Sequence, residues 1–335
     1  VSRQLFQHHA TVGYHFIPGL KTRVAHETGG YLLRANDTGF RSNHPFTAAK
    51  PEGTFRVLLF GDSFTAGDGV RNKHRYSDLL PGLLGTSPER PVEVYNFGLS
   101  GTGTDQQRLI YEQFARDLPC DLIVLGVFVE NLRRVNARYR IYADASGTQR
   151  VYPKPYYVLD DGALTLKGVP VPPQPLSMHT LPPEEREAVD QGGRHVWLRR
   201  AVNALGPRVK DAAQRMTRYQ PLPGYDRADH PDWLLMRAIL EGWIAEAHAP
   251  VVVCPIPLYQ YVEETADPEP TRARFRELCA ATGATLCDPL DHLRGVPKIE
   301  RRGYRFETDI HPTPAGHRAL AEALADTIRP LREAR

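Results

Sequence analysis

Short apolar runs at 57–60, 92–97, 122–128 and 251–256 do most to limit what this chain can fold into. Each is too short for a helix core, and most carry no polar alternation. That is how strands read when both faces of a parallel sheet are covered. Helical stretches separate them, at about 76–84, 105–118, 233–248 and 271–282. A brief strand at 285–287 and a last helix at about 313–331 follow. In that helix Leu320, Leu324, Ile328 and Leu331 recur at helical spacing, so one face belongs to the core. Five strands alternating with helices predict an α/β fold, a flavodoxin-like, doubly wound parallel five-stranded sheet.

Two segments fall outside the alternation. Residues 1–55 carry turn signals (Pro18-Gly19, Gly29-Gly30, Asn36-Asp37) and strand-like pieces such as 31–34. They are expected to form an arm packed on the main domain rather than a core of their own. Residues 133–232 are expected to be an insertion or lid subdomain, leaving 56–132 and 233–335 as the α/β domain. The first half of the insertion reads as hairpins, with turns at Asp144-Ala-Ser-Gly147 and Asp160-Asp-Gly162. The second half reads as a helix pair broken at Gly206-Pro207. From Arg194 to Arg218 it holds seven Arg or Lys and one Asp. A solvated basic face is the plain reading of that stretch; a docking face for an acidic partner or anionic substrate is the functional one. A loop this long inside a compact domain is usually a lid or a subdomain.

Composition narrows the partners. A net charge of +3 gives no cause to expect nucleic acid, and no apolar run is long enough to span a bilayer. The bias to 35 Arg over 7 Lys reads as a habit of the source genome. The four cysteines form no Cys-x-x-Cys pair, so neither a disulfide framework nor a zinc site is expected. His8-His9 has no further ligand at metal spacing. No metal and no cofactor is expected. No signal peptide is visible, which leans slightly towards the cytoplasm, although the chain begins at Val1.

Chemistry gathers where strands end. The first strand runs into Gly61-Asp62-Ser63, the second into Asn96-Phe-Gly-Leu-Ser-Gly101, and the third into Phe128-Val-Glu-Asn131. Asp309-Ile-His311-Pro-Thr-Pro-Ala-Gly316 stands before the last helix. In an open α/β sheet the loops at the carboxyl edge converge, and ligands bind there. A serine at a strand-to-helix turn also has backbone N–H groups near it that can hold an anion.

These four blocks, in this order, resemble the SGNH (GDSL-like) hydrolase family over 56–132, and more loosely over 250–330. The resemblance implies a serine esterase or deacylase that works through an acyl-enzyme on a small acyl ester; an acylated sugar or secondary metabolite is the expectation for that ester, and the sequence does not name it. It implies Ser63 as nucleophile and His311 as the base that takes its proton. Asp309 would hold the imidazole, and an oxyanion hole would form from the N–H groups of Ser63 and Gly101 and the amide of Asn131. Two departures stand out. Thr308 fills the place three before the histidine where the family often has its acid, so the acid falls to Asp309. The aspartate that usually follows the third-block asparagine is Leu132 here.

Other readings of the same residues stay open at this point. An acyltransferase would use the same serine, histidine and aspartate, and a non-catalytic binding module could keep the fold. Ser63 has a competing role as a helix N-cap, and His311 as a plain loop histidine before a Pro-started helix. Asp62 and His317 read as structural. Asp68, Asp105 and Glu130 could line the cleft, and a solvated role is the plain reading of each.

Overall fold

The computed structural model describes residues 4–143, 149–177, 180–183, 186 and 220–334. The Asp144–Gly147 turn and the basic stretch 194–218 lie outside them.

The core is one parallel sheet. It is built from β5 (Phe55–Gly61), β6 (Val92–Asn96), β7 (Leu122–Phe128), β12 (Val251–Ile256) and β13 (Thr285–Leu286). The spatial order is β6-β5-β7-β12-β13, which in order of occurrence is 2-1-3-4-5, the flavodoxin-like winding. Every residue of β5, β7 and β12 is buried, which is why their sequences do not alternate. Register places Gly61 opposite Gly126 and Phe128 opposite Ile256. The ends of three neighbouring strands thus line one edge.

Numbered among the described residues, the helices are α1 (Ser63–Ala66), α2 (Tyr76–Leu83), α3 (Thr104–Ile110), α4 (Asn131–Val135), α5 (Pro231–Glu246), α6 (Tyr259–Val262), α7 (Glu269–Thr282), α8 (Leu290–Arg294) and α9 (Pro314–Glu333). They pack in two groups, α2 with α9 and α3 with α5 and α7, as covering both faces of the sheet requires. In α9 the stripe Leu320, Leu324 and Ile328 is buried. Thr313 caps its start by accepting the Gly316 N–H, and Pro314 takes the first helical position, where a missing N–H costs nothing.

Two expected lengths change. The helix at 105–118 is α over Thr104–Ile110 and then a π turn over Tyr111–Ala115. Helical periodicity does not separate the two windings. The fifth strand pairs over only two residues, Thr285 and Leu286.

Outside the sheet the strands pair as antiparallel ribbons. β1 (Phe6–His9) pairs with β2 (Gly13–Phe16), and β3 (Lys21–Val24) with β4 (Tyr31–Arg34). Val12, Phe16, Tyr31, Leu33 and Phe40 of this region are buried in the same core as the sheet. β8 (Tyr139–Ala143) pairs with β9 (Gln149–Pro153), and β10 (Tyr156–Asp160) with β11 (Ala163–Lys167) around the Asp161-Gly162 turn. No helix among the described residues is long and apolar enough to cross a membrane.

Candidate active site

β5 ends at Gly61, and α1 starts at once. Asp62 is its cap, its Oδ1 accepting the Phe64 N–H at 3.0 Å. Ser63 is therefore not the cap, and its hydroxyl is free for another partner. The helix lasts one turn and stops at Gly67 in the left-handed region. The residues after β6 are tied to this turn. Asn96 Nδ2 donates to Thr65 O at 2.8 Å and to Ser77 Oγ at 2.7 Å, while its Oδ1 accepts the Gly98 N–H at 2.7 Å. Leu99 N–H donates to Gly61 O at 3.0 Å. Gly101 follows with φ +82°, a conformation that side chains with a Cβ adopt at a cost.

The loop before α9 brings the histidine over the serine. Phe306 N–H donates to His311 O, and Thr313 N–H donates to Tyr304 O. His311 Nε2 stands 2.7 Å from Ser63 Oγ. His311 Nδ1 stands 2.5 Å from Asp309 Oδ1, which also accepts the His311 backbone N–H at 3.1 Å. The two-residue spacing works because the carboxylate turns back on its own loop and holds both the ring and the main chain of the histidine. Phe64 stacks on Phe128 at 4.0 Å and lies 5.0 Å from the His311 ring, packing the imidazole from below.

Charges shift in opposite directions across the pair. Burial pushes the His311 pKa down. The hydrogen bond that His311 donates to Asp309 and the charges of Asp68, Asp309 and Asp62 outweigh it, so the net shift is upward. Burial pushes Asp309 up, but its hydrogen bond and charge interaction with His311 leave it lowered. A hydrogen-bonded Ser–His–Asp chain of this kind can take a proton from the hydroxyl and return it to a leaving group.

Asn131 opens α4 at the end of β7. It is fully buried, and neither Oδ1 nor Nδ2 has a hydrogen-bond partner. A buried amide with both ends unspent is unusual, and it leaves Nδ2 available to donate.

One residue that sequence reasoning did not single out joins three of the four blocks. Arg134, one turn after Asn131, donates from Nη1 to Asp62 Oδ2 at 2.6 Å and to Thr102 O at 3.1 Å. It so links the Ser63 turn, the Gly101 loop and the helix of Asn131. Its position in a stretch rich in arginine (Arg133, Arg134, Arg138, Arg140) hid it. Asp62 is fully buried, so Arg134→Met leaves a carboxylate without its countercharge. The expected cost is about 3–5 kcal/mol of stability, checked by urea unfolding; a change below about 1 kcal/mol would contradict the ion pair's role.

Arg41 is the second residue missed. Fully buried, it donates to Ala66 O (2.9 Å), Gly67 O (2.6 Å), Val70 O (2.7 Å) and Asn72 Oδ1 (2.9 Å). It fixes the chain that leaves α1, and nothing periodic around it in the sequence marks that task.

Two of the three acidic residues expected to be solvated depart from that role. Asp105 is fully buried and pairs with the buried Lys154 of the insertion. Asp68 is half-buried and accepts from Ser100 Oγ at 2.8 Å. Glu130 keeps the expected role, pairing at the surface with the exposed Arg133 at 3.1 Å. His317 is fully buried beside Tyr76, whose N–H its Nδ1 accepts, in keeping with a structural role. Among the described residues no group of three or more His, Cys, Asp or Glu is placed to hold a metal ion.

Residues 59–319 match the profile of the GDSL-like Lipase/Acylhydrolase family. The chain belongs to that family, whose members are serine-hydrolase-type esterases and acyltransferases. Solved structures to which this chain is similar include an acetylxylan esterase from Geobacillus stearothermophilus, at 13% identity and a TM-score of 0.44, covering 82% of this chain and 94% of the other. A lipase/acylhydrolase from Enterococcus faecalis is similar at 14% identity and a TM-score of 0.41, covering 83% and 96%. No curated protein matches the sequence.

Proposed function

We propose that this chain is an esterase or deacylase in which Ser63 attacks the acyl carbon of a small ester, such as an acylated sugar or secondary metabolite. His311 takes the hydroxyl proton through Nε2 as the bond to carbon forms, and then gives it to the departing alkoxide. Asp309 fixes the proton on Nδ1 and stabilises the imidazolium. Water, deprotonated by the same histidine, hydrolyses the acyl-enzyme. The N–H groups of Ser63 and Gly101 and the Nδ2 of Asn131 receive the oxyanion. The observation that carries this reading is the unbroken chain from Ser63 Oγ through His311 to Asp309, at 2.7 and 2.5 Å.

Asn131→Ala is expected to lower kcat by about 10²–10³-fold with little change in KM, because that donor acts on charge that exists only in the transition state. Its unspent amide is what supports the assignment. Steady-state kinetics on a chromogenic short-chain ester check it, and equal activity in the variant would remove Asn131 from the role.

Transfer to an alcohol is the second reading. The family, whose members include acyltransferases, is what supports it; the buried Lys154–Asp105 pair ties the insertion to α3, directly after the Gly101 loop. Turnover of a chromogenic ester with and without a small alcohol separates the two. Release of free acid that the alcohol does not suppress supports hydrolysis; ester product outpacing free acid overturns it.

A further inference from the structure

The family match begins at residue 59, yet the amino-terminal arm reaches the acid of the candidate site. Its 26–29 turn, closed by Gly29 N–H to His26 O at 3.0 Å, lies against the loop that carries Asp309 and His311. Glu27 accepts the N–H groups of Glu307 at 2.6 Å and Thr308 at 2.7 Å, and the Thr308 hydroxyl as well. One carboxylate from the arm therefore holds the two residues just before Asp309.

His26 is the more telling member. Its side chain is 9% exposed, and its Nε2 is covered and has no hydrogen-bond partner. That atom stands 3.6 Å from Asp309 Oδ2, the carboxylate oxygen that does not touch His311 Nδ1. The tautomer follows from the other ring nitrogen. Thr28 N–H points at Nδ1 from 3.5 Å, and the Thr28 hydroxyl is 3.1 Å away. A backbone amide only donates, so Nδ1 accepts and the proton sits on Nε2, facing the carboxylate.

The ring has little room to face anywhere else. It packs edge-on against Phe306 with centroids 4.4 Å apart. Gly69, six residues past Ser63, closes another side. A Cβ at that position would lie 2.5 Å from the Phe306 ring and 3.0 Å from His26 Nε2. The absence of a side chain there is what lets the Ser63 loop approach.

We propose that His26 is a positioning residue for Asp309, its Nε2–H directing Oδ2 so that Oδ1 stays on His311. This rests on the functional reading above. At 3.6 Å the contact is too long for a hydrogen bond, and catalytic hydrogen bonds in free enzymes commonly tighten when the reaction complex forms. The partner it needs is a donor of fixed direction, which packing alone does not provide.

The test measures the rate of fluorophosphonate labelling at Ser63, and kcat and KM on p-nitrophenyl acetate, for the full chain and two variants. His26→Phe keeps the ring and removes the donor; His26→Gln keeps an N–H at a similar reach. The proposal expects labelling and kcat to fall roughly tenfold in His26→Phe, with KM unchanged and with His26→Gln recovering to within about threefold of wild type. A folded His26→Phe that labels at the wild-type rate overturns it, as does a His26→Gln that loses as much as His26→Phe. Should His26→Phe not fold, His26→Met, which fills the space without an N–H, takes its place in the same comparison. A wild-type chain that fails to label at Ser63 overturns the reading of the site and this proposal together. Wild-type labelling beside an equally fast His26→Phe overturns this proposal alone.

Discussion

Ser63→Ala is expected to lower kcat on a short-chain ester by about 10⁴-fold or more while leaving the fold intact. The variant loses the attacking oxygen but keeps the backbone N–H proposed for the oxyanion hole, so a small residual rate over water should persist. The fold should tolerate it because Asp62, not Ser63, caps α1, and the Ser63 hydroxyl bonds to His311. His311→Ala should cost a similar factor, and the double variant little more than either single one, since serine and histidine act as one unit. Steady-state kinetics beside thermal unfolding check this. Additive losses, or a Ser63→Ala protein within tenfold of wild type, would contradict it.

Asp309→Asn is expected to cost on the order of 10⁴-fold in kcat. The amide nitrogen of asparagine can donate to His311 Nδ1, which places the imidazole proton on Nε2, where it faces Ser63 and cannot accept. The pH dependence should change too. The base must be neutral, so wild-type kcat/KM should rise with pH through an apparent value above the ordinary histidine 6.5, because the His311 pKa is raised. Burial works against that rise, and the Asp309 hydrogen bond is the largest factor producing it. Without the carboxylate the acid limb should move to lower pH. A limb in Asp309→Asn that stays where it was would show that Asp309 does not set the charge on His311.

The fold was legible because the sheet is buried on both faces. Runs such as 122–128 and 251–256 are short, apolar throughout and set between helical stretches, and they form the strands expected. The candidate site was legible for a different reason: its four blocks stand at strand ends or before the last helix and resemble a family's, and the structure brings three of the residues they named, Ser63, His311 and Asp309, into one hydrogen-bonded chain. The long-range charge partners were not legible. Asp62 with Arg134, Asp105 with Lys154, and Arg41 with the carbonyls after α1 are 72, 49 and 25 or more residues apart. Charged residues at such separations carry no period, and each alone reads as surface. For Asp68 and Asp105 that default was wrong: a carboxylate can be buried once a cation or hydroxyl meets it, and sequence does not show the meeting. The π turn after α3 was hidden as well, because a single wider turn leaves the apolar pattern of a helix nearly unchanged.

The most direct test of the central claim is active-site titration with a fluorophosphonate, read by intact mass and peptide mapping. The chain should take up one equivalent, mapped to the peptide containing Ser63, with no adduct in Ser63→Ala and greatly slowed uptake in His311→Ala. A folded wild-type chain that takes up none, or a Ser63→Ala chain that carries the same adduct, would contradict the assignment of Ser63 as nucleophile.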